Sequence, residues 1–223
     1  MDFTEKKLII FDFDGTLINS IPDLTAAVNI MLSHFKAEPL SIAQVTPFIG
    51  NGAQPLVRRA LEASFPKDDL TESLFEDAFT RYLEAYKSIT CKDTFVYPGV
   101  LDTLNYLDQK GYSMVICTNK PYAYIAPILE ALEIKSFFKL WVGEDSLPEK
   151  KPSAMPLLHL TEAMGTSIAH SVMVGDSKND ILAAQNAGIQ SIGVSYGYNY
   201  NENISDYNPT VVADQFTELQ DLF

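Results

Sequence analysis

Residues 7–16 read KLIIFDFDGT. The first seven are a short apolar run that ends in carboxylates, followed by Gly15, which is the pattern of a strand buried inside a sheet with a polar carboxyl end. Asp12 closes that strand and Asp14 lies two residues on, so both side chains lean to one side. Two carboxylates that close repel each other unless a cation neutralises them or one takes a proton. Either state is chemically useful. A magnesium ion suits such oxygen ligands, or Asp14 can act as a general acid beside a nucleophilic Asp12. Gly15 permits a tight turn whose backbone donors face an oxyanion, and Thr16 adds a hydroxyl; a plain turn at a strand end is the structural alternative.

Working outward, residues 20–35 place Ile21, Leu24, Val28, Leu32 and Phe35 at helical spacing, with Ser20 and Asp23 marking the start and Pro22 in the first turn. A short helix is expected to begin near Ser41 and close before Pro47. A glycine-bearing loop, FIGNG, follows at 48–52, and further helices are expected over 53–64 and 68–88. No strand is expected within 20–88. From Pro98 and Gly99 onward the rhythm changes. Helices are expected over 100–110, 121–132, 156–164, 180–187 and 215–223, and strands over 112–117, 140–142, 171–174, 191–194 and 210–213. Strands that alternate with helices imply an α/β fold, a parallel sheet covered on both faces. The helical block interrupts that alternation after the first strand. Residues 1–19 and 89–223 are therefore expected to form a catalytic core, with 20–88 inserted as a helical cap and crossings near 17–19 and 89–96.

Ligands of open parallel sheets bind at the carboxyl ends of the strands. Two more strands end in polar clusters: Thr118-Asn119-Lys120 after YSMVIC, and VGDSKND at 174–180, which holds Asp176 and Asp180. A hydroxyl at a strand end beside a helix start suits a phosphate, though it equally suits an ordinary cap. Asp176 at its strand end suits a metal, with Asp180 one helical turn on. Between these clusters lies Lys150-Lys151-Pro152; a lysine there can neutralise buried carboxylates or hold a phosphoryl oxygen, or can simply be solvated.

In this order, DxDGT, a hydrophobic strand ending in Thr-Asn, Lys-Pro and GDSxxD resemble the four-motif signature of the haloacid dehalogenase superfamily across the whole chain. The resemblance implies a Rossmann-like parallel sheet sandwiched by helices, with an inserted all-helical cap. It also implies a magnesium-dependent phosphatase of small phosphate monoesters. Asp12 would attack phosphorus, Asp14 would protonate the leaving alcohol and then activate water, and Thr118 and Lys151 would hold the phosphoryl group. Magnesium would bind Asp12, the backbone carbonyl of Asp14 and Asp176, with Asp180 in support. The strings LINSIPDL at 17–24 and IGNGAQPLVRRAL at 49–61 are similar to those of bacterial phosphoglycolate phosphatases, which makes 2-phosphoglycolate the expected substrate. Thr16, Asn119, Gly50 and Gly52 would then face substrate, and Arg59 or Arg58 would meet its carboxylate. Asn19 departs from the pattern, in which this hinge position is usually Asp. A sugar phosphomutase of the same superfamily, similar to beta-phosphoglucomutase, is the competing reaction. A non-catalytic binding protein would not need every one of these residues.

Composition narrows the partners. Sixteen Lys and Arg against 29 Asp and Glu give a net charge of −13, which repels nucleic acid and leaves any anionic substrate dependent on local positive groups or a metal. Hydrophobic residues make up 47% and charged residues 20%, as in a soluble globular protein. No run reaches about 18 apolar residues and no secretory leader is visible, so membrane contact is not expected. Cys91 and Cys117 have no pairing framework, which fits reduced thiols and the cytoplasm. A monomer or homodimer is expected. His34, His159 and His170 lack ligand spacing, and Trp141 and the tyrosine-rich stretch 196–200 are read as packing.

Overall fold

Residues 2–223 are described by a computed structural model. The chain runs through β1 (Leu8–Phe11), β2 (Ile18–Asn19), α1 (Ile21–His34), α2 (Ile42–Val45), α3 (Ala53–Ser64), α4 (Glu72–Ile89) and β3 (Phe95–Val96). It continues through α5 (Val100–Gln109), β4 (Ser113–Cys117), α6 (Ile125–Ala131), β5 (Phe138–Val142), α7 (Met155–Ala163), β6 (Ser171–Gly175), α8 (Lys178–Ala187), β7 (Gln190–Val194) and β8 (Val211–Ala213).

Six strands form one parallel sheet in the order β5-β4-β1-β6-β7-β8. β1 lies inside it, and all four of its residues are buried. Alternation decides which layer each side chain joins. Ile9 and Phe11, with Met114 and Ile116 of β4, pack on α5, α6 and the C-terminal Phe216 and Leu219. Leu8 and Ile10, with Val115 and Cys117, pack on Leu157 and Leu160 of α7 and on the alanines of α8. Burial of each large side chain contributes about 1.5–3 kcal/mol, so these two layers supply the core's main driving force. Strand order reverses beside β1, which is where a doubly wound sheet opens a crevice. Phe11 stands opposite Ile116 on one side and Val174 on the other. Three polar strand ends are thereby brought level.

α1 to α4 pack on one another around a separate cluster that includes Leu24, Val28, Val57, Ala78, Tyr82 and Tyr86. The two chain crossings meet as a short antiparallel ribbon, with Ile18 opposite Val96 and Asn19 opposite Phe95. This ribbon was not legible in the sequence, because two-residue strands carry no periodicity. Ser20 does not cap α1 as its position suggests: it makes no side-chain cap bond and donates instead to Asp14. Asn19 accepts from the Ile21 N–H at 3.1 Å, and Asp23 turns to the other crossing, where it accepts from the N–H groups of Asp93 and Thr94 and the Thr94 hydroxyl. α4 begins later than expected because the Thr71 hydroxyl caps Leu74 and residues 67–69 form a separate tight turn. At the C-terminus, Phe216–Asp221 is 3-10 rather than α-helical. Its buried Phe216 and Leu219 lie three residues apart, a spacing that three residues per turn places on one face.

Candidate active site

Asp12 follows the last residue of β1, and its N–H continues the ladder to Val174 at 2.9 Å. The chain then turns sharply through Gly15, whose φ is +93°. A Cβ there would lie 2.3 Å from a carboxylate oxygen of Asp176, so the turn and the close approach both require glycine. The Thr16 hydroxyl donates to Asp176 Oδ1 at 3.0 Å, and the Tyr198 N–H donates to Oδ2 at 2.8 Å. Asp180 sits in the first turn of α8, where Ser177 donates to its Oδ2 through both N–H and hydroxyl.

The Lys151 ammonium links these groups. It donates to Asp12 Oδ1 at 2.7 Å, to Asp180 Oδ1 at 2.6 Å and to the Cys117 carbonyl at 2.5 Å. That uses all three of its protons. Carboxylate oxygens of Asp12, Asp176 and Asp180 lie within 4.8 Å of one another, all three residues buried. Burial pushes the Asp12 carboxyl up to about 7, repulsion from Asp180 adds to the rise, and Lys151 opposes it. Burial, then Asp12 and Asp180, pushes Asp176 up as well. Burial works to lower the Lys151 pKa, but Asp12 and Asp180 outweigh it and hold the ammonium charged. One cation among three carboxylates leaves excess negative charge in a dry pocket. Such an all-oxygen donor set fits a hard divalent cation, for which Asp12, Asp176 and the adjoining backbone are the available ligands. Asp180 accepts three donors, one of them the Lys151 ammonium, against two uncharged donors at Asp176, which suits support rather than ligation.

Above this cluster lies a cavity between the sheet end and the helical block. It is lined by Asp12, Asp14, Thr118, Asn119 and Lys151 from the sheet side, and by Gly50, Gly52, Leu56, Tyr82 and Tyr86 from the helices. The Asn119 amide donates to the Gly50 carbonyl at 3.1 Å and to the Lys151 carbonyl at 3.0 Å. Asn179 donates to the same Gly50 carbonyl at 3.1 Å. The loop is thus gripped from the core, and Lys150 and Glu144 grip it again at Asn51 and Ala53.

Two expected substrate contacts lie elsewhere. Thr16 is fully buried and its hydroxyl is spent on Asp176, so it does not line the cavity. Arg59 does not line it either: its guanidinium donates to the Phe48 carbonyl and to Asn51 Oδ1, bracing the loop from behind. Arg58 pairs with Glu72 at the surface. The stretch 196–200, read as mere packing, wraps the site. Tyr196 donates to the Thr16 carbonyl, Tyr198 to Asp176 through its backbone, and Tyr200 accepts from Asn179. Sequence reasoning also passed over Lys120, whose ammonium lies 3.0 Å from both oxygens of Asp14. Its signal was its place directly after Thr118-Asn119. Tyr82 and Tyr86 also line the cavity from α4, and two phenols at i and i+4 among its apolar residues were the visible hint.

A family model for haloacid dehalogenase-like hydrolases matches residues 9–194. The chain is 42% identical over 213 residues to phosphoglycolate phosphatase 1 of Pseudomonas aeruginosa, covering 96% of this chain and 78% of that protein. It is 41% identical over 219 residues to the phosphoglycolate phosphatase of Psychrobacter arcticus, covering 97% and 95%. A crystal structure described as a predicted phosphoglycolate phosphatase from Haemophilus somnus superposes with a TM-score of 0.93, at 37% identity over 97% of each chain.

Proposed function

Because the chain belongs to the haloacid dehalogenase-like hydrolase family, we propose that it hydrolyses small phosphate monoesters, with 2-phosphoglycolate the leading substrate, through a phospho-aspartyl intermediate on Asp12. The names of its relatives support the substrate. The observation that carries the chemistry is the Lys151 ammonium, which holds Asp12 at the base of a cavity that Asp14 and Thr118 also line.

A carboxylate oxygen of Asp12 attacks phosphorus, and the bond from phosphorus to the ester oxygen breaks. Asp14 gives that oxygen its proton, so the alcohol leaves neutral at the reacting end. Water then attacks phosphorus, Asp14 takes the proton, and the acyl phosphate bond breaks to return Asp12 and release phosphate. Thr118 holds a phosphoryl oxygen, and Lys151 turns onto another the proton it gives Asp12, once that carboxylate bonds to phosphorus. Asp12, the Asp14 carbonyl and Asp176 would hold magnesium, which would supply charge neutralisation between an anionic nucleophile and an anionic ester.

Residues 20–88 act in this reading as a cap on a core of 1–19 and 89–223. Their separate apolar cluster and the paired crossings support that division. Gly50 and Gly52 bring the cap loop to the substrate, and Asn119 anchors the loop in the closed state.

Phosphate release from a panel of monoesters, 2-phosphoglycolate included, tests the reading with magnesium and then with EDTA. An EDTA-sensitive preference for 2-phosphoglycolate is the expected outcome. Broad weak turnover would remove the named substrate. An isomerised sugar phosphate without phosphate release would make the chain a mutase.

A further inference from the structure

We propose that Lys120 and Tyr86 form the subsite for the anionic end of the leaving group, and that this pair sets a preference for phosphate monoesters carrying a carboxylate. The proposal deepens the phosphatase reading above and rests on it.

Two cations line the cavity among the described residues, Lys120 and Lys151. Lys151 has no proton to spare, since Asp12, Asp180 and the Cys117 carbonyl take all three. Lys120 differs. It is 5% exposed, and both of its hydrogen bonds go to the two oxygens of Asp14. An ammonium has three donors, so one remains without an acceptor among the described residues. The Lys120 ammonium also lies 5.0 Å from the centre of the Tyr86 ring, which favours the cation there.

Tyr86 supplies the second, independent observation. It comes from α4, it is buried and lines the cavity, and its hydroxyl has no hydrogen-bond partner. Buried hydroxyls are rarely left unpaired, and one carried by a cavity-lining ring with an ammonium over it suits an anion brought in alongside. Burial, then the charges of Asp14 and Asp23, holds its phenol well above the ordinary range, so it remains a donor.

The cavity lining holds no further cation among the described residues. Its other lining on this side is Leu24, Leu56, Tyr82 and Tyr124, and Arg58 and Arg59 are engaged with Phe48, Asn51 and Glu72. With a net charge of −13, the protein's wider field gives an anion no help. The nearby Asp14 carboxylate does not forbid a second one. Ser20 donates to Asp14 at 2.5 Å, so Asp14 keeps a donor when Lys120 is shared. Because Lys120 belongs to the sheet side and Tyr86 to the helices, the subsite is complete only while the two are together.

The test compares kcat/KM for 2-phosphoglycolate and for 2-hydroxyethyl phosphate, which has a neutral hydroxymethyl group in place of the carboxylate. The wild type is expected to prefer the carboxylated ester. Lys120→Gln lowers turnover of both, because Asp14 loses a partner, but lowers the carboxylated ester about 10- to 100-fold more. Tyr86→Phe keeps the ring and its packing, and narrows the preference by about 3- to 10-fold, read in KM. It keeps the proposal testable should Lys120→Gln fail to fold. Equal losses for both esters in the variants, or a wild type without preference, would overturn the subsite while leaving the phosphatase standing. No phosphate from any ester would remove the phosphatase reading and the subsite with it.

Discussion

Lys151 is a single ammonium among three buried carboxylates, and removing it leaves their charge uncompensated. Lys151→Met is expected to cost about 3–5 kcal/mol, measured by urea unfolding at neutral pH without added metal. Asp12→Asn should abolish phosphate release and keep a cooperative unfolding transition; near-normal turnover in the folded variant would rule out covalent catalysis. A pH dependence belongs to the same residues. The Asp12 carboxyl is raised from 3.8 to about 7, and Asp176 is raised too, so the folded chain holds these protons more tightly than the unfolded chain does. The Asp12 contribution to stability is full below 3.8 and is lost as pH rises through about 7, and that of Asp176 is lost in the same direction, as pH rises. In EDTA the protein should therefore melt at a lower temperature at about pH 8 than at about pH 5.5. Magnesium should raise Tm more at the higher pH, because there it meets carboxylates that are already charged. A Tm shift by magnesium that is the same at both pH values would separate metal binding from this cluster.

Among the elements, α1 matters as much for what it ties as for what it packs. Asp23 is buried on its first turn and accepts three donors from residues 93 and 94, on the opposite crossing. Asp23→Ala orphans them and is expected to cost about 2–3 kcal/mol, read as a lower urea midpoint with an unchanged slope. The loop before α3 is held by a different device. Gly52 has φ +95°, and a Cβ there would meet Glu144 Oε2 at 1.9 Å, so the backbone lies directly against the Glu144–Lys150 pair. Glu144→Ala removes a carboxylate from the N-terminus of α3 and should raise KM by about 2- to 5-fold, with little loss of stability in the same urea experiment. The helices themselves were legible, because 3.6-residue periodicity survives whatever they pack on. Their ends were less so: Thr71 is one of several side chains there able to cap, Ser20 turns back to Asp14 instead of capping α1, and the 3-10 C-terminus packs on strands distant in the chain.

For the whole molecule, a charge of −13 surrounds a pocket that must admit a phosphate ester. Screening should therefore help the substrate in. Raising ionic strength from about 0.02 to 0.15 M is expected to increase kcat/KM for 2-phosphoglycolate by about twofold or more, through the rate of capture rather than kcat. A fall would show that local cations, not the global field, govern the approach. No described helix is long and apolar enough to cross a membrane. Burial pushes the Cys117 thiol up to about 12, which keeps it protonated and inert.

The sequence by itself determined the parallel sheet and the placing of Asp12, Thr118 and Asp176 at its carboxyl ends. Strand periodicity, helix punctuation and the residue that follows each strand are all local along the chain, and a parallel sheet brings those ends level by its own geometry. Only the tertiary structure decided which cation answers which carboxylate. A lysine at 151 answering buried carboxylates was implied by motif order, but Lys120 with Asp14, Thr16 turned onto Asp176 and Tyr86 over Lys120 follow from how the elements pack on one another. Such pairings join residues far apart in the chain and depend on distances of a few ångströms, and a pattern that repeats every two or four residues carries no record of them.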